Sequence, residues 1–168
     1  EIHERKRQWY SMHEFDPDDA RKFVGSMKEC AAIYNKMAPG FVSANEYLEP
    51  YIDSLLQEYQ LEDKDLYICG FSQGAMLAIF SSLMRDNPIG GCISFSGIIA
   101  PHTYLHKHAK SFPNTLLIHG DADNLVRFEA LDYTHKKLEK LGCNVEEYVV
   151  GGGLHRITPD GLVKAAEF

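Results

Sequence analysis

Apolar and polar positions along this chain follow two different periods. After Asp16-Pro17, the residues Ala20, Phe23, Val24, Met27, Ala31 and Tyr34 recur at helical spacing and form one apolar stripe. Asp caps the first free N–H groups and Pro fits the first turn, so this pair predicts the helix start, and Met37-Ala38-Pro39-Gly40 predicts its end. Ser43 and Glu46 stand at capping-box spacing. Beyond them Leu48, Ile52, Leu55, Leu56 and Tyr59 make a second helical face, in which Pro50 predicts a kink or a later start.

From Asp65 the period changes. Leu66-Tyr67-Ile68-Cys69 is a short apolar run closed by Gly70, as expected of a strand buried on both faces. Gln73 to Arg85 reads as a third helix ending near Asn87-Pro88. Cys92 to Phe95 and Thr115 to Ile118 read as buried strands, with an irregular His- and Pro-rich segment between them. Phe128 to Leu141 predicts a helix and Val145 to Val150 a last strand, and Thr158-Pro159-Asp160 opens a final helix that runs to Phe168. Strands separated by helices pair in parallel through crossovers, so the expected class is α/β: an open, mostly parallel sheet with helices on both faces. No linker or repeat divides the chain, and residues 1–168 are expected to form one domain.

Composition narrows the chemistry. Lys and Arg number 17 against 24 Asp and Glu, and the net charge of −7 argues against nucleic acid as a partner. Arg5-Lys6-Arg7, beside Glu1 and Glu4, reads as a solvated tail. No stretch approaches the roughly 18 apolar residues of a membrane span, and the opening residues lack a signal-peptide core, so no stable membrane insertion and a cytoplasmic location are expected. Cys30, Cys69, Cys92 and Cys143 are too scattered for a zinc site or a disulfide scaffold and read as buried free thiols.

Gly70-Phe71-Ser72-Gln73-Gly74 is G-x-S-x-G between a predicted strand and a predicted helix. Two glycines permit the sharp turn that lifts Ser72 Oγ clear of the backbone. Chance alone would yield about 0.06 such matches in a chain this long, and the strand-turn-helix context adds weight. The competing reading is a Gly-rich turn whose serine merely caps the helix.

A serine hydroxyl needs a base to take its proton and an acid to orient that base. In this kind of fold they follow the serine in the order acid, then histidine, on loops after later strands. His119-Gly120-Asp121-Ala122-Asp123 follows one strand and Gly151-Gly152-Gly153-Leu154-His155 follows another. Asp123 is the favoured acid because it lies two residues farther toward the His155 loop, while Asp121 is expected to fix the turn, the competing role for either Asp. His155, on a Gly-rich loop that lets its ring swing over Ser72, is the expected base, against the plain reading of an exposed loop histidine. His119 is expected to be structural.

His102, His106 and His108 form H-x3-H-x-H. Lys107 and Lys110 beside them disfavour a bound cation, so no metal and no other cofactor is expected. Trp9, Tyr10 and Phe15 could line an acyl pocket, with aromatic core packing as the plainer reading.

With these residues in view, the chain resembles the phospholipase/carboxylesterase family of α/β-hydrolases, which includes the acyl-protein thioesterases. The resemblance rests on the GFSQG elbow, on His119-Gly120-x-x-Asp123-x-x-Val126, and on His155 before Ile157-Thr158-Pro159-Asp160; the Trp9-Tyr10 region resembles the family's aromatic-aspartate stretch. It runs from about Trp9 onward. It implies Ser72 as nucleophile, Asp123 as acid, His155 as base, and the Gln73 backbone N–H as one donor of the oxyanion hole. Asn124 and Arg127 stand where the family often has Pro, and Leu154 where it often has Gly, changes that would reshape the pocket. The family's early strands and its HG-rich loop, which gives the second oxyanion donor, have no counterpart before Trp9.

The expected function is a serine hydrolase cleaving carboxylic esters or thioesters of small molecules or lipids through an acyl-enzyme. The alternative is a truncated hydrolase-like binding protein with little turnover, its oxyanion hole being incomplete. An uncovered sheet edge would make a homodimer a further expectation.

Overall fold

The computed structural model describes residues 8–11 and 26–168. Helix α1 (Met27–Lys36) begins where Ser26, in extended conformation, accepts a hydrogen bond from Glu29 N–H and the Glu29 carboxylate accepts one from Ser26 N–H. That capping box sets the start ten residues after Pro17, so the helix ending at Lys36 is shorter than its apolar stripe predicts. The expected start at Asp16-Pro17, and the Arg5-Lys6-Arg7 tail, lie outside the described residues.

Helix α2 (Ala38–Tyr59) starts earlier than expected. Pro39 occupies its first turn, where the missing N–H costs nothing, and Ser43 and Glu46 lie inside the helix rather than capping it. Pro50 also lies within α2. The helix persists because Phe41, Ala44 and Ile52 are buried, and burial outweighs the loss of one backbone bond.

A 3-10 turn (Asp63–Asp65), strand β1 (Tyr67–Phe71), helix α3 (Gln73–Met84), strand β2 (Gly91–Phe95), helix α4 (His102–His108), strand β3 (Thr115–Gly120), helix α5 (Glu129–Leu141), strand β4 (Val145–Val150) and helix α6 (Pro159–Glu167) follow in the described residues. The segment expected to be irregular between β2 and β3 contains α4, whose Thr103 N–H is bonded by Asn35 Oδ1 of α1 at 2.8 Å. Gly142, in left-handed conformation at φ 113°, ends α5, and Thr158 caps α6 by accepting from Gly161 N–H.

The four strands lie in the order β1-β2-β3-β4, all parallel, with Phe71 beside Phe95, Phe95 beside Ile118 and Gly120 beside Val150. Their carboxyl ends therefore share one edge. Alternate side chains divide between two cores. Cys92 and Leu117 pack with Leu77, Phe80, Leu83, Leu131 and Leu138, whereas Ile93, Phe95, Leu116 and Ile118 pack with Ala165 and Phe168 on the opposite face. Each large side chain buried this way contributes roughly 1.5–3 kcal/mol. Helices thus cover both faces, as the α/β class predicts.

Strand β1 departs from the expected burial. Tyr67 and Cys69 are exposed, because among the described residues β1 pairs only with β2 and α6 packs beside β4. Cys69 is accordingly an exposed thiol, whereas Cys30, Cys92 and Cys143 are buried and free as expected.

Candidate active site

Ser72 links β1 to α3 at φ 54° and ψ −119°, a left-handed backbone rare for any residue with a β-carbon. The turn is held by Ser72 N–H bonding Phe95 C=O at 2.9 Å and by Ser72 C=O accepting from Ala75 and Met76 N–H at 3.0 and 3.1 Å. It also requires glycine: a β-carbon on Gly70 would stand 2.2 Å from Gly74 O. Strand and helix therefore meet closely enough to push Ser72 outward. As the first residue of α3, Gln73 has a backbone N–H with no acceptor inside its own helix.

The two later loops converge on that serine. His155 Nε2 lies 2.9 Å from Ser72 Oγ, and His155 Nδ1 lies 2.8 Å from Asp123 Oδ2. The other oxygen, Asp123 Oδ1, accepts from Leu125 and Val126 N–H at 2.9 Å each. Burial pushes the Asp123 carboxyl up, but the bonds from His155, Leu125 and Val126 outweigh it and hold the pKa at about 2. An ionised Asp123 can only accept, so His155 donates through Nδ1–H and presents Nε2 as an acceptor to the Ser72 hydroxyl. The Phe71 ring packs against the imidazole at 4.8 Å between centroids.

Around this line the surrounding groups hold the loops. Asp121 Oδ1 accepts from Gly152 N–H at 2.6 Å, joining the acid loop to the histidine loop, which is the turn-fixing part expected of it. His119 is 2% exposed and its Nε2–H donates to Val126 C=O at 2.9 Å, so it supports the acid loop from beneath. Burial lowers its pKa, partly offset by the Val126 bond and the Asp123 charge, so the ring is neutral at pH 7.

Two features were not legible beforehand. Gln73 contributes a side chain as well as its backbone: Oε1 accepts from Trp9 N–H at 3.1 Å and Nε2 donates to Tyr10 C=O at 3.0 Å. The Gln in G-x-S-Q-G was the available signal, yet its partners lie more than sixty positions upstream. The aromatic pair also splits. Tyr10 is buried against Phe41 at 4.2 Å, whereas Trp9 is 57% exposed and so departs from the core-packing reading; Phe15 lies outside the described residues. His102, His106 and His108 lie on α4, with His108 stacked on Tyr104 at 4.3 Å.

The fold agrees with what the chain is similar to. A probable carboxylesterase SOBER1-like of Arabidopsis thaliana is 34% identical over 163 residues, covering 92% of this chain and 55% of that protein. Acyl-protein thioesterase 1 homolog 1 of Dictyostelium discoideum is 28% identical over 123 residues, covering 72% of this chain and 54% of that one. The crystal structure of esterase PE8 superposes with a TM-score of 0.74 at 33% identity, covering 77% of this chain and 60% of that one. The chain thus spans about half the length of the curated relatives it matches. A sequence match to the phospholipase/carboxylesterase family extends over residues 2–168, and the chain belongs to that family.

Proposed function

We propose that this chain carries the reacting groups of a serine hydrolase that cleaves carboxylic esters or thioesters. The observation that carries the reading is the unbroken line from Ser72 Oγ through His155 to Asp123 at the carboxyl edge of a parallel sheet. Ser72 attacks the acyl carbonyl while His155 Nε2 takes its proton. The imidazolium so formed is stabilised by the ionised Asp123 through Nδ1–H. His155 then delivers the proton to the departing alcohol or thiol, leaving an acyl group on Ser72. Water, activated by the same imidazole, releases the acid and restores the serine.

The charge that develops on the carbonyl oxygen needs donors fixed in advance, and the Gln73 backbone N–H at the head of α3 is one. One such donor is worth roughly a hundred- to thousandfold in rate. The relatives named for carboxylesterase and thioesterase activity support the same substrate class. Among the described residues no helix is long and apolar enough to cross a membrane. The four free cysteines favour a reducing compartment, and the cytoplasm is the setting we propose.

The test is hydrolysis of p-nitrophenyl esters of graded acyl length, with fluorophosphonate labelling alongside. Labelling and turnover should both vanish in Ser72→Ala. Labelling that persists in that variant would remove Ser72 as the nucleophile.

A further inference from the structure

The elbow requires small residues at Gly70 and a backbone N–H at Gln73, but nothing in the turn itself calls for an amide side chain there. Both ends of the Gln73 amide are nevertheless bonded. Its oxygen accepts from Trp9 N–H and its nitrogen donates to Tyr10 C=O, so one amide holds two consecutive residues. Below this clamp, Tyr10 is fastened by its ring against Phe41 and by its hydroxyl, which donates to Met76 Sδ at 3.7 Å. Tyr10 thus anchors the segment in the core, and Gln73 sets the direction in which the chain passes over the first turn of α3.

That direction decides where Trp9 stands. Among the described residues the hydrogen bond that holds Trp9 is made by its backbone N–H, and its side chain faces outward, 57% exposed. The indole still sits beside the elbow: Nε1 lies 3.5 Å from where a β-carbon on Gly74, two residues after Ser72, would stand. A large apolar ring left in water costs free energy unless something apolar covers it in use. The adjacent group that needs cover during the proposed reaction is the acyl chain bonded to Ser72.

We propose that Gln73 is a positioning residue: by clamping the backbone of Trp9 and Tyr10, its side chain stands the Trp9 indole beside the nucleophile as one wall for the substrate's acyl chain. This rests on Ser72 being the nucleophile. The role is separate from that of the Gln73 N–H, because a side-chain replacement leaves the backbone donor in the protein.

Trp9 is the only tryptophan of the chain, so its fluorescence reports the clamp without any turnover. In Gln73→Leu, acrylamide quenching of Trp9 should rise about twofold as two hydrogen bonds are lost. Octanoate should shield Trp9 from acrylamide in Ser72→Ala and fail to do so in Ser72→Ala/Gln73→Leu. With p-nitrophenyl esters, Gln73→Leu and Trp9→Ala should each lower the octanoate-to-acetate ratio of kcat/KM roughly tenfold, the size expected for one missing apolar wall. That loss should appear in KM, should not add in the double variant, and should be largely rescued by Trp9→Phe. Gln73→Glu, which keeps an acceptor for Trp9 N–H but loses the donor to Tyr10, should fall between and serves should the leucine variant misfold. Wild-type quenching together with a wild-type chain-length ratio in Gln73→Leu would overturn the proposal. Loss of serine-dependent labelling in the unmutated chain would instead overturn the hydrolase reading, while the quenching data would still decide the clamp.

Discussion

Gly120, the last residue of β3, touches Gly153 backbone to backbone: a β-carbon added to Gly120 would stand 2.1 Å from the Gly153 carbonyl oxygen. The acid loop and the histidine loop are pressed together at this point, and Ala122 N–H bonds the same carbonyl at 3.0 Å. The reach between Asp123 and His155 depends on that approach.

Replacing Gly120 with alanine should therefore act on stability and chemistry together. The clash is with backbone, which cannot swing aside, so Gly120→Ala should lose about 1–3 kcal/mol in denaturant unfolding. Moving His155 by an ångström should lower ester turnover roughly a hundredfold. Wild-type turnover in a folded Gly120→Ala protein would show that the loop contact does not set the site.

Asp123 holds the imidazole by charge as well as by geometry. Asp123→Asn should keep the fold at neutral pH and reduce kcat by roughly ten-thousandfold, the size seen where an acid of this role is neutralised. A loss below tenfold would reassign the acid.

The same carboxylate makes the folded protein sensitive to acid. Its pKa is lowered from 3.8 to about 2 in the folded chain, so the unfolded chain binds more protons between those values. Its stabilisation, roughly 2 kcal/mol, is fully present above pH 3.8 and is lost as pH falls through 2. Urea unfolding at pH 5 and pH 2.5 should show a smaller drop for Asp123→Asn than for the unmutated protein.

His119 predicts a second, milder limb. Burial lowers its pKa below the usual 6.5, so the unfolded chain takes up a proton first as pH falls. Stability should decline from pH 7 toward pH 5, and His119→Gln should flatten that decline. An unchanged slope in the variant would place the acid sensitivity elsewhere, with His102 the next candidate because burial and the nearby Lys137, His106 and Lys140 lower it too.

Away from the site, Arg85 ties α2 to the turn before β1. It is 7% exposed and pairs with Asp53 at 2.6 Å and with Asp63. Arg85→Met should cost about 1–3 kcal/mol, the lower part of the range for breaking a buried pair, since its partners keep some contact with water. The chain-length preference for esters should not change.

Most of the fold was legible because its signals are local. Helix α3 and strands β2, β3 and β4 appear within a residue or two of where the apolar runs and their Gly and Pro boundaries predict them. Helix α4 was missed because seven residues with one buried side chain, Leu105, are too short to show a period. The break at Ser26 was missed because the apolar stripe continues across it, while the cap there is a matter of two hydrogen bonds. The exposure of Tyr67 and Cys69 could not be read from an apolar run, since burial depends on what packs over each face.

By itself, the sequence determined which candidate groups this protein carries and at which strand ends they stand. Ser72 stands on a glycine elbow, and Asp121, Asp123 and His155 on two strand-terminal loops, all readable within a few residues of each position. Only the tertiary structure decided between two aspartates of identical chemistry, giving Asp123 to the imidazole and Asp121 to Gly152. It alone decided that Gln73 reaches back to Trp9 and Tyr10. Propensity and period are properties of neighbours along the chain, whereas a hydrogen bond between residues far apart in sequence exists only after packing has brought their elements together.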